Sequence, residues 1–506
     1  MKKLVLIPML VLFLITFVNA EVIETPVLVW SQTYGGNEDE EVFSIVSTDD
    51  EGFALTGGTN SFGEGNYDFY LVKTDGDGNE IWSHTYGGRS TDHADSIVQT
   101  EDEGYAICGT TSSFGNGIFD FYLVKTDENG EEEWTHSGYG GNGYSHCQSL
   151  IQTPDEGYSM AGKVDGNRYD FHLIQTDENG NEIWSESYHR EWSESVTDHI
   201  RTENGDFIMV GMANNRDDVW DIYVVRTDEN GVELWSESYG GGSSDISLKI
   251  IEIDDGEFAI VGSTESFGEG GEDFYLIKIG GDGELLWSQT YGGEEDDKAY
   301  SLVQVEDGGF ILVGYTESFG EGGTDCYVVR TDNEGELLWS QTYGEEGSNM
   351  CADITRTSDN GYALGGSTQN IDEEDYDFWL IKMEIEIEEA PMTDLEQRVG
   401  ILEILVEGLA DGLQHLEDMF NTIENQVQEL MDSTDYLEEE NEKLNSYLSY
   451  TPQEFKEEML CGYMRENNVN EYTDLGFQCE ILQDGHCMCV HLPGQQPENP
   501  QFPAID

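Results

Sequence analysis

Six residues stand out for the chemistry they could do on an acidic chain: Arg168, His189, Arg190, Trp192, Arg216 and Trp220. A guanidinium pairs with a carboxylate through a planar fork and stacks on rings, and an indole offers a flat apolar face to a sugar or a peptide. Arginine and tryptophan are also residues on which binding energy concentrates. The six lie in the segments VDGNRYD and ANNRDDVWD and in the link YHREWSE between them, which reads as a ligand-binding surface. No G-x-S-x-G, H-E-x-x-H or phosphate-cradling loop occurs in a setting that would make it work, so these residues favour binding over catalysis and no catalytic residue is assigned.

Two other chemistries are written into the spacing. The turns DGDGNE at 75–80, DENGEE, DENGNE and GGDGEL set oxygens at alternate positions, as calcium loops do. The twelfth-position glutamate and flanking helices are missing, and each turn stands where two strands need an acidic, glycine-closed hairpin. No cofactor is therefore expected, and calcium is the one ion these carboxylates would take. Cys461, Cys479, Cys487 and Cys489 lie near the end of the chain, where two disulfides are expected with three pairings open; zinc held with His486 and His491 is the alternative. Cys108, Cys147, Cys326 and Cys351 stand where other copies of the repeat carry small or apolar residues, and are read as buried thiols.

The elements that must position these groups come from an internal repeat. Tryptophans at Trp30, Trp82, Trp134, Trp184, Trp235, Trp287 and Trp339 head seven units spaced 50–52 residues apart. Each unit parses into four short strands with acidic, glycine-bearing turns; in the second they run over 95–100, 105–110, 121–126 and 132–137. Such units are propeller blades, because radial packing buries both faces of each sheet. The chain opens with VLVWSQTYGG, an outer strand without its blade, and the last unit ends at DFWLIKM without an outer strand. The expected fold is an all-β seven-bladed β-propeller over 21–383 in which 27–34 pairs beside 378–383 and closes the ring.

The strings WSQTYGG, DGGFILVGYTESFGEGG and YDFYLVKTDGDGNEIW resemble the repeat of exported archaeal and bacterial β-propeller proteins, mostly uncharacterised, over about 27–383. That resemblance implies the cell exterior and no particular reaction. What all copies share is explained by blade geometry. The recurrent aspartates Asp68, Asp120, Asp170, Asp221, Asp273, Asp325 and Asp377 read as acceptors capping backbone amides, and the tryptophans as packing between blades. Units three and four depart most from the consensus. In a propeller their loops and link emerge on one face, which places the six residues near one another.

Residues 1–20, MKKLVLIPMLVLFLITFVNA, have the charged start, apolar run and small final residue of a secretory signal. A net charge of −85, from 106 acidic and 21 basic residues, repels nucleic acid and anionic lipid, so neither is an expected partner. No later run has the roughly 18 apolar residues of a membrane span, and no membrane insertion is expected.

After an acidic linker at 384–392 comes a coiled coil at 393–449. Its seam is Leu395, Val399, Leu402, Val406, Leu409, Leu413, Leu416, Phe420, Ile423, Val427 and Leu430, continuing through Leu437, Asn441, Leu444 and Leu448. Asn441 at a core position favours a dimer; a trimer is the alternative. A small disulfide-rich domain at 450–493 and a disordered tail at 494–506 complete the expected organisation. The expected function is extracellular binding or adhesion to a glycan or protein by propeller heads on an oligomeric stalk. The alternative is an extracellular hydrolase or lyase acting on glycan with carboxylates of the propeller funnel.

Overall fold

The computed structural model describes residues 22–389, apart from 142, 166–167, 191, 216–217, 254–255 and 370–374, and the segments 471–474, 477–481 and 487–491. The signal-like segment, the coiled-coil seam, Arg216, Cys461 and His486 lie outside the described residues. No helix among the described residues is long and apolar enough to cross a membrane.

Residues 22–389 form seven four-stranded antiparallel sheets, whose first strands touch one another round a closed ring. Blade two comprises Asp92–Gln99, Tyr105–Thr111, Asp120–Thr126 and Glu132–Tyr139, close to the strands read from the repeat. Its innermost strand starts at Asp92 rather than at 95, because a bulge between Ala94 and Ser96 breaks the alternation there. The core is divided among seven apolar clusters, each spanning one interface between blades. In one of them Phe69 and Leu71 of blade one pack on Ala94, Ile97 and Ile107 of blade two. Each such Phe, Leu or Ile contributes about 1.5–3 kcal/mol on burial, so blades hold one another rather than standing alone.

The repeated residues make a clasp between neighbours. Trp82, on the outer strand of blade two's predecessor, lies against the turn of blade two at Gly130, where an added Cβ would come within 2.7 Å of the ring and φ is +78°. Only glycine satisfies both conditions. Four residues on, the Tyr86 hydroxyl donates to the Gly130 carbonyl at 2.6 Å, and Tyr34, Tyr139, Tyr188, Tyr239 and Tyr291 repeat this bond on Gly78, Gly180, Gly231, Gly283 and Gly335. In blades one, two and five the aspartate opening the third strand caps the preceding loop: Asp68 Oδ2 accepts the amides of Glu64 and Gly65 at 2.8 and 3.0 Å, Asp120 Oδ2 that of Gly117 at 2.7 Å and Asp273 Oδ2 that of Glu269 at 2.8 Å.

Blade seven is assembled from both ends of the ring. Asn349–Arg356, Tyr362–Gln369 and Tyr376–Glu389 are joined by Val22–Tyr34 as the outer strand, with Leu28 opposite Met383 and Tyr34 opposite Phe378. The pairing runs on to Val22 opposite Glu389, so 384–389 is strand and not linker. The alternation in EIEIE has the two-residue period of a strand, which the acidity of the segment obscures. Glu24 on this ribbon accepts from Arg330 at 3.1 and 3.2 Å and from the Trp339 indole at 3.3 Å, tying the outer strand of blade seven to blade six.

The propeller cysteines are not thiols. Cys108 of blade two is bonded to Cys147 of blade three, and Cys326 of blade six to Cys351 of blade seven. All four are buried, as expected, but the positions they occupy face each other across an interface, with Cα atoms 6.0 and 5.1 Å apart. Toward the end of the chain, Glu471–Asp474, Phe477–Ile481 and Cys487–His491 form a three-stranded antiparallel sheet in which Cys487 is disulfide-bonded.

Candidate functional site

Four of the sequence-predicted residues come together where the loops of blades three and four emerge. His189, Arg190 and Trp192 line one cavity with Asn214 and Asn215. The Arg168 guanidinium lies over the Trp192 ring at 4.6 Å, and that of Arg190 over the Tyr223 ring at 4.5 Å, while Arg190 also donates to Ser238 Oγ at 2.6 Å. Stacking on an aromatic ring fixes the face of each guanidinium. Trp220 does not line this cavity; it is half-buried and pairs across the sheet with Asn214.

The scarcity of cations gives this cluster its weight. Among the described residues eight of the 21 pair with carboxylates of the blades, and six of these join a third strand to the nearby hairpin: Lys73–Asp50, Lys125–Asp102, Arg226–Asp206, Lys278–Glu257, Arg330–Asp307 and Lys382–Asp359, at 2.5–2.9 Å. Arg168 and Arg190 stand at departures from the repeat, where their rings of contact are Trp192 and Tyr223.

Beneath them sits a residue the sequence reading missed. Glu194, the first residue of blade four's innermost strand, is fully buried. It accepts the Arg190 amide at 3.0 Å, but its Oε2 has no hydrogen-bond partner. In blades one and seven the matching Glu40 and Asn349 accept a threonine hydroxyl, from Thr59 and Thr368, at 2.6 Å, and Asp92 and Asp245 do the same with Thr111 and Thr264. In blade four that threonine is Ala213. Burial, and then the charge of Asp170, push the Glu194 carboxyl up to about 7, against the pull of the Arg190 amide and the two guanidinium groups. Five copies carry a threonine at this step and four of them bond it to the acid or amide opposite, so the mark of the site is the exchange of that threonine for Ala213.

The acidic turns use their carboxylates internally. Asp75 Oδ1 accepts the amides of Asp77 and Asn79 at 3.0 and 2.8 Å, and Asp127 Oδ1 those of Asn129 and Glu131 at 2.8 and 2.9 Å. Hydrogen bonds from Asn79 hold Asp75, and that from the Glu131 amide holds Asp127, below the usual carboxylate range. The hairpin reading of these turns is thereby supported. Among the described residues no group of three or more His, Cys, Asp or Glu is placed to hold a metal.

No protein-family model and no curated protein matches the chain. Solved structures do, at low identity. The Pan2 WD40 domain of Neurospora crassa is 10% identical, with a TM-score of 0.47, over 71% of this chain and 95% of that one. The WD40 domain of coronin from Toxoplasma gondii is 11% identical, with a TM-score of 0.42, over 72% and 88%. Sqt1 from Chaetomium thermophilum is 12% identical, with a TM-score of 0.41, over 68% and 83%.

Proposed function

We propose that this chain is an exported binding protein that recognises a carboxylate-bearing extracellular glycan or protein through blades three and four, and that a coiled-coil stalk joins copies into an oligomer. The observation carrying the recognition surface is the pair of stacks, Arg168 on Trp192 and Arg190 on Tyr223, beside one cavity of an otherwise acidic ring. Export is supported by the signal-like residues 1–20 and by two disulfides in the propeller, which need an oxidising compartment. Self-association rests on the heptads of 393–449, and it would let weak contacts add. A glycan array read with the full chain, and again with Arg190→Ala/Trp192→Ala, tests the surface; binding that survives the double substitution unchanged would remove it.

Hydrolysis or lysis of a glycan is the second reading, and Glu194 is the group that favours it. A carboxyl held at about 7 is matched to proton transfer at neutral pH. Turnover assayed beside the array separates the two readings, and Glu194→Gln should abolish turnover while sparing binding.

A further inference from the structure

The inner edge of the ring holds a second set of residues, independent of the blade-three and blade-four surface. In every innermost strand the pairing with the second strand skips one residue at the same step. Six of the skipped residues are Phe43, Asp95, Gln148, Thr197, Leu248 and Tyr300. A bulge bends its strand and re-aims the side chain it releases. Because these bulges lie on the strands that meet round the axis, the six side chains converge on one cavity of about 290 Å³.

The residues that follow the bulges tie the blades together and spend their polar groups on one another. Ser149 Oγ donates to Asp198 at 2.7 Å, Ser301 Oγ to Asp353 at 2.6 Å and Ser44 Oγ to Asp353 at 3.2 Å, while Lys249 lies 4.0 Å from Asp198. The bulged residues themselves are left facing the cavity. Asp95 accepts from Gln148 Nε2 at 3.1 Å. Enclosure pushes its carboxyl up to about 8, with Lys163 opposing. Phe43 keeps 39% of its surface exposed, an apolar ring left open on the axis of an acidic protein.

The cavity therefore sets an apolar side, Phe43, Leu248 and Tyr300, against a hydrogen-bonding side, Asp95, Gln148 and Thr197. A pyranose has matching faces, with a C–H surface that packs on rings and a rim of hydroxyls that each donate and accept. Two carboxylates, Asp198 and Asp353, against one ammonium, Lys249, also line it and disfavour an anion. Its volume is at the lower end of the roughly 300–1,000 Å³ of ligand pockets, which suits one ring rather than a chain. We propose that this axial cavity binds a single neutral sugar ring.

The test is saturation-transfer NMR on the full chain with the methyl glycosides of glucose, galactose, mannose and N-acetylglucosamine. At least one glycoside should receive saturation, and Phe43→Ala and Asp95→Ala should each weaken it by about tenfold or more. Phe43 is already open to solvent, so its variant should fold, and unchanged near-ultraviolet circular dichroism checks this for both. Arg190→Ala/Trp192→Ala should leave glycoside binding unaltered, which separates this site from the surface proposed above. Transfer to none of the four, equal transfer in both cavity variants, or stronger transfer to a glucuronide or a quaternary ammonium ion would overturn the proposal.

Discussion

Glu194 and Ala213 face each other across the first two strands of blade four, at the step where four other blades join an acid or amide to a threonine hydroxyl. One oxygen of this buried carboxyl has no donor, and burial, with the charge of Asp170, raises the group to about 7. A carboxyl raised on folding contributes stability that is fully present below its unfolded value, 4.5, and is lost as pH rises through about 7. Thermal unfolding of the wild type should thus show a melting temperature that falls across this window. Ala213→Thr should flatten the fall and add about 1 kcal/mol on its alkaline side; an unchanged pH profile would show that Glu194 is not the titrating group.

The tyrosine clasp supplies its own control. Tyr291 donates to the Gly335 carbonyl at 2.5 Å, whereas the hydroxyl of Tyr343, one blade on, is buried with no partner. Blade seven has no turn between its third and outer strands, because that outer strand is Val22–Tyr34. Tyr291→Phe should cost about 1–2 kcal/mol, and Tyr343→Phe should be neutral or slightly stabilising. Denaturant titration of both variants reads the difference.

Two disulfides staple blade two to blade three and blade six to blade seven. Cysteines 39 and 25 residues apart close loops whose cross-linking is worth about 3–4 kcal/mol each. Cys108→Ala/Cys147→Ala and Cys326→Ala/Cys351→Ala should each lower stability by that amount, and reductant should then lower it further in either. Thiol titration of the unfolded, unreduced propeller should find none of these four free.

Ring closure predicts the strongest effect. Without residues 22–34, blade seven would expose the edge of Tyr376–Glu389 and the apolar partners of Trp30 and Tyr34. The truncated protein should aggregate, and a synthetic peptide of 22–34 added during refolding should restore monodisperse material, as light scattering would show.

The propeller was legible because its determinants are local and repeated. Turn glycines, tryptophans and capping aspartates recur at fixed spacing, and the unmatched strands at 27–34 and 378–383 reveal their own pairing. The disulfides were not, since Cys108 lies on a second strand, Cys326 on a third, and their partners on innermost strands; only the packing of neighbouring blades brings such different positions together. The clustering of Arg168, His189, Arg190 and Trp192 followed from topology, while the role of Glu194 needed the register that sets it opposite Ala213. The axial bulges were hidden for the same reason, because a single skipped residue appears in a sequence only as a failed alternation.

The ribbon formed by Val22–Leu28 and Met383–Glu389 has a mechanical meaning. A pull applied at Glu389 along this strand would load its rungs to the first strand together, in shear. Rungs loaded together resist far better than rungs opened one after another, as in a peeled hairpin. The fastening that completes the ring is thus also the part of the propeller that would share such a load between its two ends.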